Sequence, residues 1–224
     1  WRDRELDYMI VTHPDADHFA GCIDVLRRYT VKKIFINGYE KERSDLWRVF
    51  EEGLRAAEVD HTSIIEIVTT TGRWEIASTT VEFLYPDHNL TYDPRVPGVT
   101  ATESNDTSIV VRLDHLGRSV LLTGDMENSL ENYLVKKYPN SLKATVLKVG
   151  HHGSQSSSGQ AFLETVQSDY CVISVGAENS YGHPSLRVLK RLERTHCQIL
   201  RTDQFGDILF TINQDSIKVN HAQK

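Results

Sequence analysis

Four side chains able to hold a metal ion fall within six residues of the stretch Thr12-His13-Pro14-Asp15-Ala16-Asp17-His18. Imidazole and carboxylate together suit Zn²⁺, Mn²⁺ or Fe²⁺. The stretch follows an apolar run of strand length, Leu6–Thr12, and precedes Phe19, Cys22, Ile23 and Leu26 at helical spacing. A strand-to-helix turn of this kind gathers side chains at the C-terminal edge of a sheet, where α/β proteins usually bind ligands. The bland alternative is a polar turn in which Asp17 caps the helix.

The same grammar, an apolar strand and a tight turn followed by a ligand-capable side chain, returns three times. Leu121-Leu122-Thr123-Gly124 ends in Asp125. Thr145–Gly150 runs into His151-His152-Gly153-Ser154. Val172–Gly176 is followed by Gly182-His183-Pro184. Singly, Asp125 reads as a helix cap, His151 and His152 as turn residues, and His183 as a loop histidine. Their recurrence at four strand ends in one chain argues for a shared metal site. His61, His88, His115, His196 and His221 lack that context and read as surface or structural.

Around these residues the pattern alternates strands and helices. Strands are predicted at Leu6–Thr12, Val31–Ile36, Ser63–Val68, Thr79–Tyr85, Ser108–Leu113, Ser119–Leu122, Ala144–Val149 and Tyr170–Val175. Three more close the chain at Gln198–Thr202, Asp207–Ile212 and Ser216–Val219. Helices are predicted at Asp17–Tyr29, Lys41–Ala57, Glu127–Lys137, Gln160–Gln167 and Pro184–Thr195, the last with Pro184 in its first turn. The segment Pro86–Thr107 carries three of the six prolines and almost no periodicity, and loops of such length are more often functional or mobile than idle. No internal repeat and no linker is visible. The expectation is one α/β domain over 1–224, a layered sandwich with helices on the outer faces.

A net charge of −6 gives no whole-protein attraction to nucleic acid, which argues against a passive module with a basic face. An enzyme acting on phosphodiesters stays open, because bound divalent cations supply local positive charge. No stretch approaches the roughly 18 consecutive apolar residues of a membrane span. Trp1–Tyr8 has neither the apolar core nor the cleavage site of a signal peptide, so the chain reads as soluble. Cys22, Cys171 and Cys197 are odd in number and widely separated, forming no CxxC pair and suggesting no disulfide framework. Cys171 reads as core, and cysteine usage leaves the compartment open.

The order HPDADH, TGD, VGHHGS, GHPS resembles the metallo-β-lactamase fold hydrolases. It is similar in particular to the branch found as the C-terminal domain of ComEC-type competence proteins, and more distantly to the phosphorylcholine esterase branch. The resemblance runs from about Leu6 to about Phe210 and implies an αββα sandwich. That fold normally has several strands before its first motif, whereas only 12 residues precede His13 here. The chain therefore reads as a fragment of a longer protein or as a fold short of its first N-terminal strands. An exposed edge would favour the fragment.

The resemblance implies two divalent ions, Zn²⁺ or Mn²⁺. One would be held by His13, Asp15 and a histidine of the His151–His152 pair, the other by Asp17, His18 and His183, with Asp125 bridging. His151 is the preferred ligand of its pair, leaving His152 to face substrate. Asp15 stands where the general family pattern has a histidine, as is typical of the branch. The histidine usual before the TGD strand is replaced by Asn105-Asp106-Thr107-Ser108, so Asn105 or Asp106 would touch the metal shell or substrate. Ser154 and Asn179 complete the expected substrate contacts, and Asp17, Asp125 and His152 the catalytic set. Thr12, Thr123 and Ser154 are candidate partners of the histidines by proximity.

The implied function is a phosphodiesterase or nuclease working through water activated by the metals, on a phosphodiester substrate that includes DNA. The competing readings are hydrolysis of a choline phosphoester or lactone, and a binding module that has lost catalysis. Compartment follows the parent: outside the cytoplasmic membrane in a ComEC-like protein, cytoplasmic in a standalone one. Oligomeric state is open.

Overall fold

The computed structural model describes residues 4–41, 44–60 and 63–221. His61 lies outside these. The chain forms two compact units, Trp1–Thr71 with Tyr85–Ile109, and Gly72–Leu84 with Val110–Lys224.

The first unit is built on three parallel strands in the order β1 (Glu5–Val11), β2 (Thr30–Ile36), β3 (Ile64–Ile67). Parallel neighbours need a crossover, and two helices supply it: α1 (Ala16–Arg28) and α2 (Asp45–Val59). Their apolar faces bury Phe19, Ile23, Phe50 and Leu54 against Val11, Val31 and Ile34 of the sheet. Phe19, Trp47 and Phe50 form an aromatic cluster with ring centroids 4.9–5.5 Å apart. The second helix begins where Ser44 caps it, its hydroxyl accepting the Trp47 N–H at 3.1 Å, later than the Lys41 start read from periodicity.

The segment after β5 (Thr79–Tyr85) is anchored although it lacks regular structure. Leu90 and Val96 are buried. The buried Asn37, just past β2, donates from Nδ2 to both the carbonyl and the hydroxyl of Thr107 at 2.9 Å. A short 3₁₀ turn at Asn105–Thr107 follows from that anchorage, and Ile109 N–H donates to the Thr12 carbonyl at 2.9 Å.

The second unit carries a seven-stranded sheet. In addition to β5 its strands are β4 (Gly72–Ile76), β6 (Val110–His115), β7 (Arg118–Leu122), β8 (Val146–Lys148), β9 (Tyr170–Ile173) and β10 (Gln198–Arg201). The order is β10-β9-β8-β7-β6-β5-β4, with β7 to β10 parallel and the β4–β5 and β6–β7 pairs antiparallel. The helices are α3 (Asn128–Lys137), α4 (Gln160–Val166), α5 (Leu186–Arg194) and a four-residue turn, α6 (Thr202–Phe205). A hairpin of β11 (Ile208–Ile212) and β12 (Ile217–His221) ends the described chain. No helix among the described residues is long and apolar enough to cross a membrane.

Three details depart from the sequence reading. Strand β4 was not expected, since Gly-Arg-Trp-Glu-Ile is mostly exposed and polar and is held by pairing with β5. Helix α5 starts at Leu186, capped by the Ser185 hydroxyl, so Pro184 precedes it rather than lying in its first turn. Cys171 and Cys197 form a disulfide across 26 residues, because parallel pairing of β9 with β10 brings their Cα atoms to 6.0 Å. The expectation of no disulfide is corrected accordingly, and Cys22 is the free thiol.

The serine-rich segment after β8 is held from both sides. The buried Glu131 of α3 accepts the backbone N–H groups of Ser158 and Gly159, and Arg191 of α5 donates to the Ser157 and Ser158 carbonyls at 2.9 and 2.8 Å. Replacing Glu131 with Ala leaves the buried Ser158 donor and the half-buried Gly159 donor unmet, at about 1–3 kcal/mol each. We expect a loss of about 2–5 kcal/mol in urea unfolding; a loss under about 1 kcal/mol would remove the carboxylate from this role. The disulfide is checked by mass: denatured protein alkylated without reductant should take one label, and three after reduction. Three labels without reductant would show both cysteines as thiols.

Candidate metal-binding residues

In the first unit the strand end at Val11 delivers Thr12 and His13 to the start of α1. His13 is buried, and its Nδ1 lies 3.0 Å from the Thr12 hydroxyl and 3.3 Å from that of Ser108. The same Thr12 hydroxyl lies 3.4 Å from His18 Nδ1, and the two imidazole centroids are 4.2 Å apart. Both rings are thus engaged at Nδ1, which makes Nε2 the nitrogen for a ligand. Asp17, in the first turn of the helix, brings Oδ2 to 3.6 Å from His18 Nε2. Asp15 holds the helix N-cap position without a side-chain cap. Its Oδ1 accepts from Lys41 Nζ at 2.9 Å and from Ser104 Oγ at 2.6 Å. Burial acts to raise the Asp15 pKa, but those two bonds and the charges of His13 and Lys41 outweigh it and hold the carboxyl below its ordinary value.

In the second unit three neighbouring parallel strands, β7, β8 and β9, deliver the remaining residues to one edge. Asp125 is buried, with Oδ2 3.2 Å from His152 Nε2 and Oδ1 3.7 Å from Lys148 Nζ. His152 Nδ1 lies 2.7 Å from the Ser174 carbonyl. A carbonyl only accepts, so Nδ1 carries the proton and Nε2 faces the carboxylate. The Asp125 hydrogen bond raises the His152 pKa over the opposing effect of burial. His151 turns elsewhere: its Nδ1 lies 2.7 Å from Glu127 Oε1, whose bond raises its pKa against burial. Its ring sits 5.6 Å from that of His183. Burial, then the charges of His151 and His152, lower the His183 pKa.

The turn that presents the pair is strained. His151 (φ 44°, ψ 49°) and His152 (φ 51°, ψ 20°) both occupy the left-handed region, followed by Gly153 at φ 81°. Two consecutive non-glycine residues there cost on the order of 1–3 kcal/mol each, and such outliers cluster at functional sites.

The other expected contacts fall as follows. Asn179 spends both ends of its amide on its own loop, donating to the Gly176 and His183 carbonyls and accepting the His183 N–H, so it holds His183 in place. Ser154 is buried and bonds Ser156; Thr123 donates to the Lys148 carbonyl. Asp106 is buried in the 3₁₀ turn that also contains Asn105. Sequence reasoning missed Ser108, Lys41 and Ser104 in the first unit, and Glu127 and Lys148 in the second. Glu127 was findable, two residues past Asp125 with the acid needed to orient an imidazole. Lys148 donates to the Gly124 carbonyl at 2.8 Å, a backbone contact with no sequence signature.

Asp17 and His18 in the first unit, and Asp125 and His152 in the second, are thus candidate metal-binding residues. The donor chemistry fits a divalent cation: imidazoles anchored at Nδ1 offer Nε2 beside carboxylates, the usual arrangement of metal-binding histidine. A bound cation would take the place of a proton between His152 Nε2 and Asp125.

Comparison with known proteins agrees with this chemistry. Residues 1–177 match the Metallo-beta-lactamase superfamily. ComE operon protein 3 of Bacillus subtilis is 35% identical over 211 residues, covering 92% of this chain and 25% of that protein. Competence protein ComA of Neisseria gonorrhoeae is 31% identical over 220 residues, 98% of this chain and 27% of the relative. The chain therefore spans about a quarter of the length of these relatives. Among solved structures, CmlA, a diiron β-hydroxylase from Streptomyces venezuelae, superposes with a TM-score of 0.55 at 13% identity, over 88% of this chain and 44% of that one. That likeness speaks to fold alone. A mixed α/β fold with metal-capable residues at its strand ends and the family match over residues 1–177 lead to one conclusion: the chain belongs to the metallo-β-lactamase superfamily, with relatives among the competence proteins.

Proposed function

We propose that this chain is a two-metal phosphodiesterase domain. Its ligands are His13, Asp15, Asp17 and His18 from the first unit, and Asp125, His152 and His183 from the second. The observation that carries the reading is the buried Asp125 carboxylate beside an imidazole whose tautomer a backbone carbonyl fixes. Bound Zn²⁺ or Mn²⁺ would lower the pKa of water and neutralise charge on a phosphoryl oxygen. The protein's own groups then orient and balance. Thr12 holds two imidazoles, Lys148 ties the Asp125 turn, and the Glu127–His151 pair stands ready to contact the substrate.

Of the two adjacent histidines we assign the ligand role to His152. This is supported by its 3.2 Å approach to Asp125, whereas His151 is taken by Glu127. His151 is then the side chain available to substrate. The competence names of the relatives support a nucleic-acid phosphodiester over a choline phosphoester or a lactone.

Purified protein loaded with Mn²⁺ or Zn²⁺ should cleave bis-p-nitrophenyl phosphate and single-stranded DNA but not p-nitrophenyl phosphorylcholine. Two bound metals with no turnover of any substrate would sink the enzyme and leave a binding module. Asp125→Ala should abolish metal retention by elemental analysis and lower turnover by at least about 100-fold. His152→Ala should lose metal, while His151→Ala keeps it and loses turnover; the reverse outcome would move the ligand role to His151. Thr12→Val, which releases two imidazoles at once, should weaken metal affinity by about 10–100-fold. Unchanged affinity in a metal titration would show the hydroxyl to be dispensable.

A further inference from the structure

We infer that the outer face of α5, continued by Tyr181, is a track that guides a single-stranded polynucleotide toward the His151–His183 edge of the second unit. The inference rests on the phosphodiesterase reading for the purpose of the track, though the surface itself is argued from its own residues.

Helix α5, Leu-Arg-Val-Leu-Lys-Arg-Leu-Glu-Arg, holds four basic residues and one acid in nine positions, within a chain of net charge −6. Val188 and Leu192 are buried, and Arg191 is turned inward onto the Ser157 and Ser158 carbonyls. Arg187, Lys190 and Arg194 fall at i, i+3 and i+7, so they share one face, and all three are exposed. None has a hydrogen-bond or ion-pair partner among the described residues. From Arg187 to Arg194 the helix rises about 10 Å, the span of roughly three stacked nucleotides. Acidic side chains nearby in sequence are Glu193 on the helix and Glu178 in the preceding loop, both exposed.

The loop that leads into α5 offers an aromatic platform. Tyr181 is 82% exposed, and its ring lies 5.8 Å from that of His183 with the planes only 18° apart. One face of the phenol rests on a candidate metal-binding histidine and the ring is otherwise open to solvent. Basic side chains along a groove or face with an aromatic ring for base stacking are the two parts of single-strand recognition. A duplex would use the charges without the ring. An anionic lipid surface would call for a broader apolar face than Tyr181 and the exposed Leu186 supply.

The test uses the full chain with metal chelated by EDTA, so that binding is read without cleavage. Fluorescein-labelled oligothymidylate and oligouridylate are titrated by anisotropy over a range of salt. Arg187→Gln/Lys190→Gln/Arg194→Gln should lower the slope of log affinity against log salt by about 2, near 0.7 for each lost phosphate contact. Tyr181→Ala should weaken binding by about fivefold or more with little change in slope. Arg187→Lys/Arg194→Lys should keep the wild-type slope, which separates loss of charge from loss of fold. Binding of both polymers supports the shared chemistry, and their ratio shows whether DNA or RNA is preferred. An unchanged slope in the triple Gln variant would overturn the track. So would equal affinity for duplex and single strand, or binding of phosphatidylglycerol vesicles but of neither oligonucleotide. Bis-p-nitrophenyl phosphate is too small to need the track. Its resistance to the metal-loaded protein would therefore sink the phosphodiesterase while leaving oligonucleotide binding to be judged on its own.

Discussion

A carboxylate taken out of water must be met by a positive or donating group, and the second unit is arranged around meeting that demand at Asp125. Burying a carboxylate without a partner costs several kcal/mol, on the order of what separates a folded domain from an unfolded one. Here the partners come from the neighbouring strand: His152 on one oxygen and Lys148 near the other. They can do so because β7, β8 and β9 run parallel and adjacent, so their C-terminal ends open side by side at one edge. Asp125 follows the end of β7, His152 the end of β8, and Ser174, whose carbonyl orients His152, the end of β9. Adjacent strands lie about 4.8 Å apart, which is the reach of a side chain, so the site is a consequence of strand order before it is a matter of motif.

Lys148 shows how one side chain serves both the fold and the site. Its ammonium donates to the Gly124 carbonyl, closing the turn that carries Asp125. The Thr123 hydroxyl returns the contact by donating to the Lys148 carbonyl. The ammonium lies 3.7 Å from Asp125 Oδ1. It opposes a second positive charge, and it lowers the His152 pKa against the rise that Asp125 causes.

The His/Asp clusters were legible because they break the expected pattern: polar, ligand-capable side chains stand where an apolar strand ends. The apolar runs themselves gave β1, β2, β5 and β9 with their helices, since period-2 and period-3.6 spacing report burial directly. What escaped was set by partners distant in sequence. Strand β4 has no apolar stripe of its own and exists through its pairing with β5. The Cys171–Cys197 disulfide depends on the β9–β10 register. Ser108 reaches His13 because Ile109 N–H bonds the Thr12 carbonyl, a contact across 97 residues of chain. In the case of Asn179, residue type suggested a substrate contact, but the amide is used by its own loop. Side chains of that type are equally suited to turns, and only geometry separates the two uses.

The turn Gly150-His151-His152-Gly153 combines packing and chemistry in four residues. A Cβ on Gly150 would come within 2.6 Å of the Met126 carbonyl, and one on Gly153 within 2.7 Å of Pro184. Both ends are therefore fixed as glycine by close approach, and at Gly153 by positive φ as well. Between them the backbone stays left-handed, where glycine is the comfortable residue and any side chain carries strain. Packing alone would favour the comfortable residue. That two histidines occupy these positions, one directed at Asp125 and the other at Glu127, means the strain is offset by what their imidazoles do. The local backbone resists histidine at both positions, and the neighbouring carboxylates engage it there.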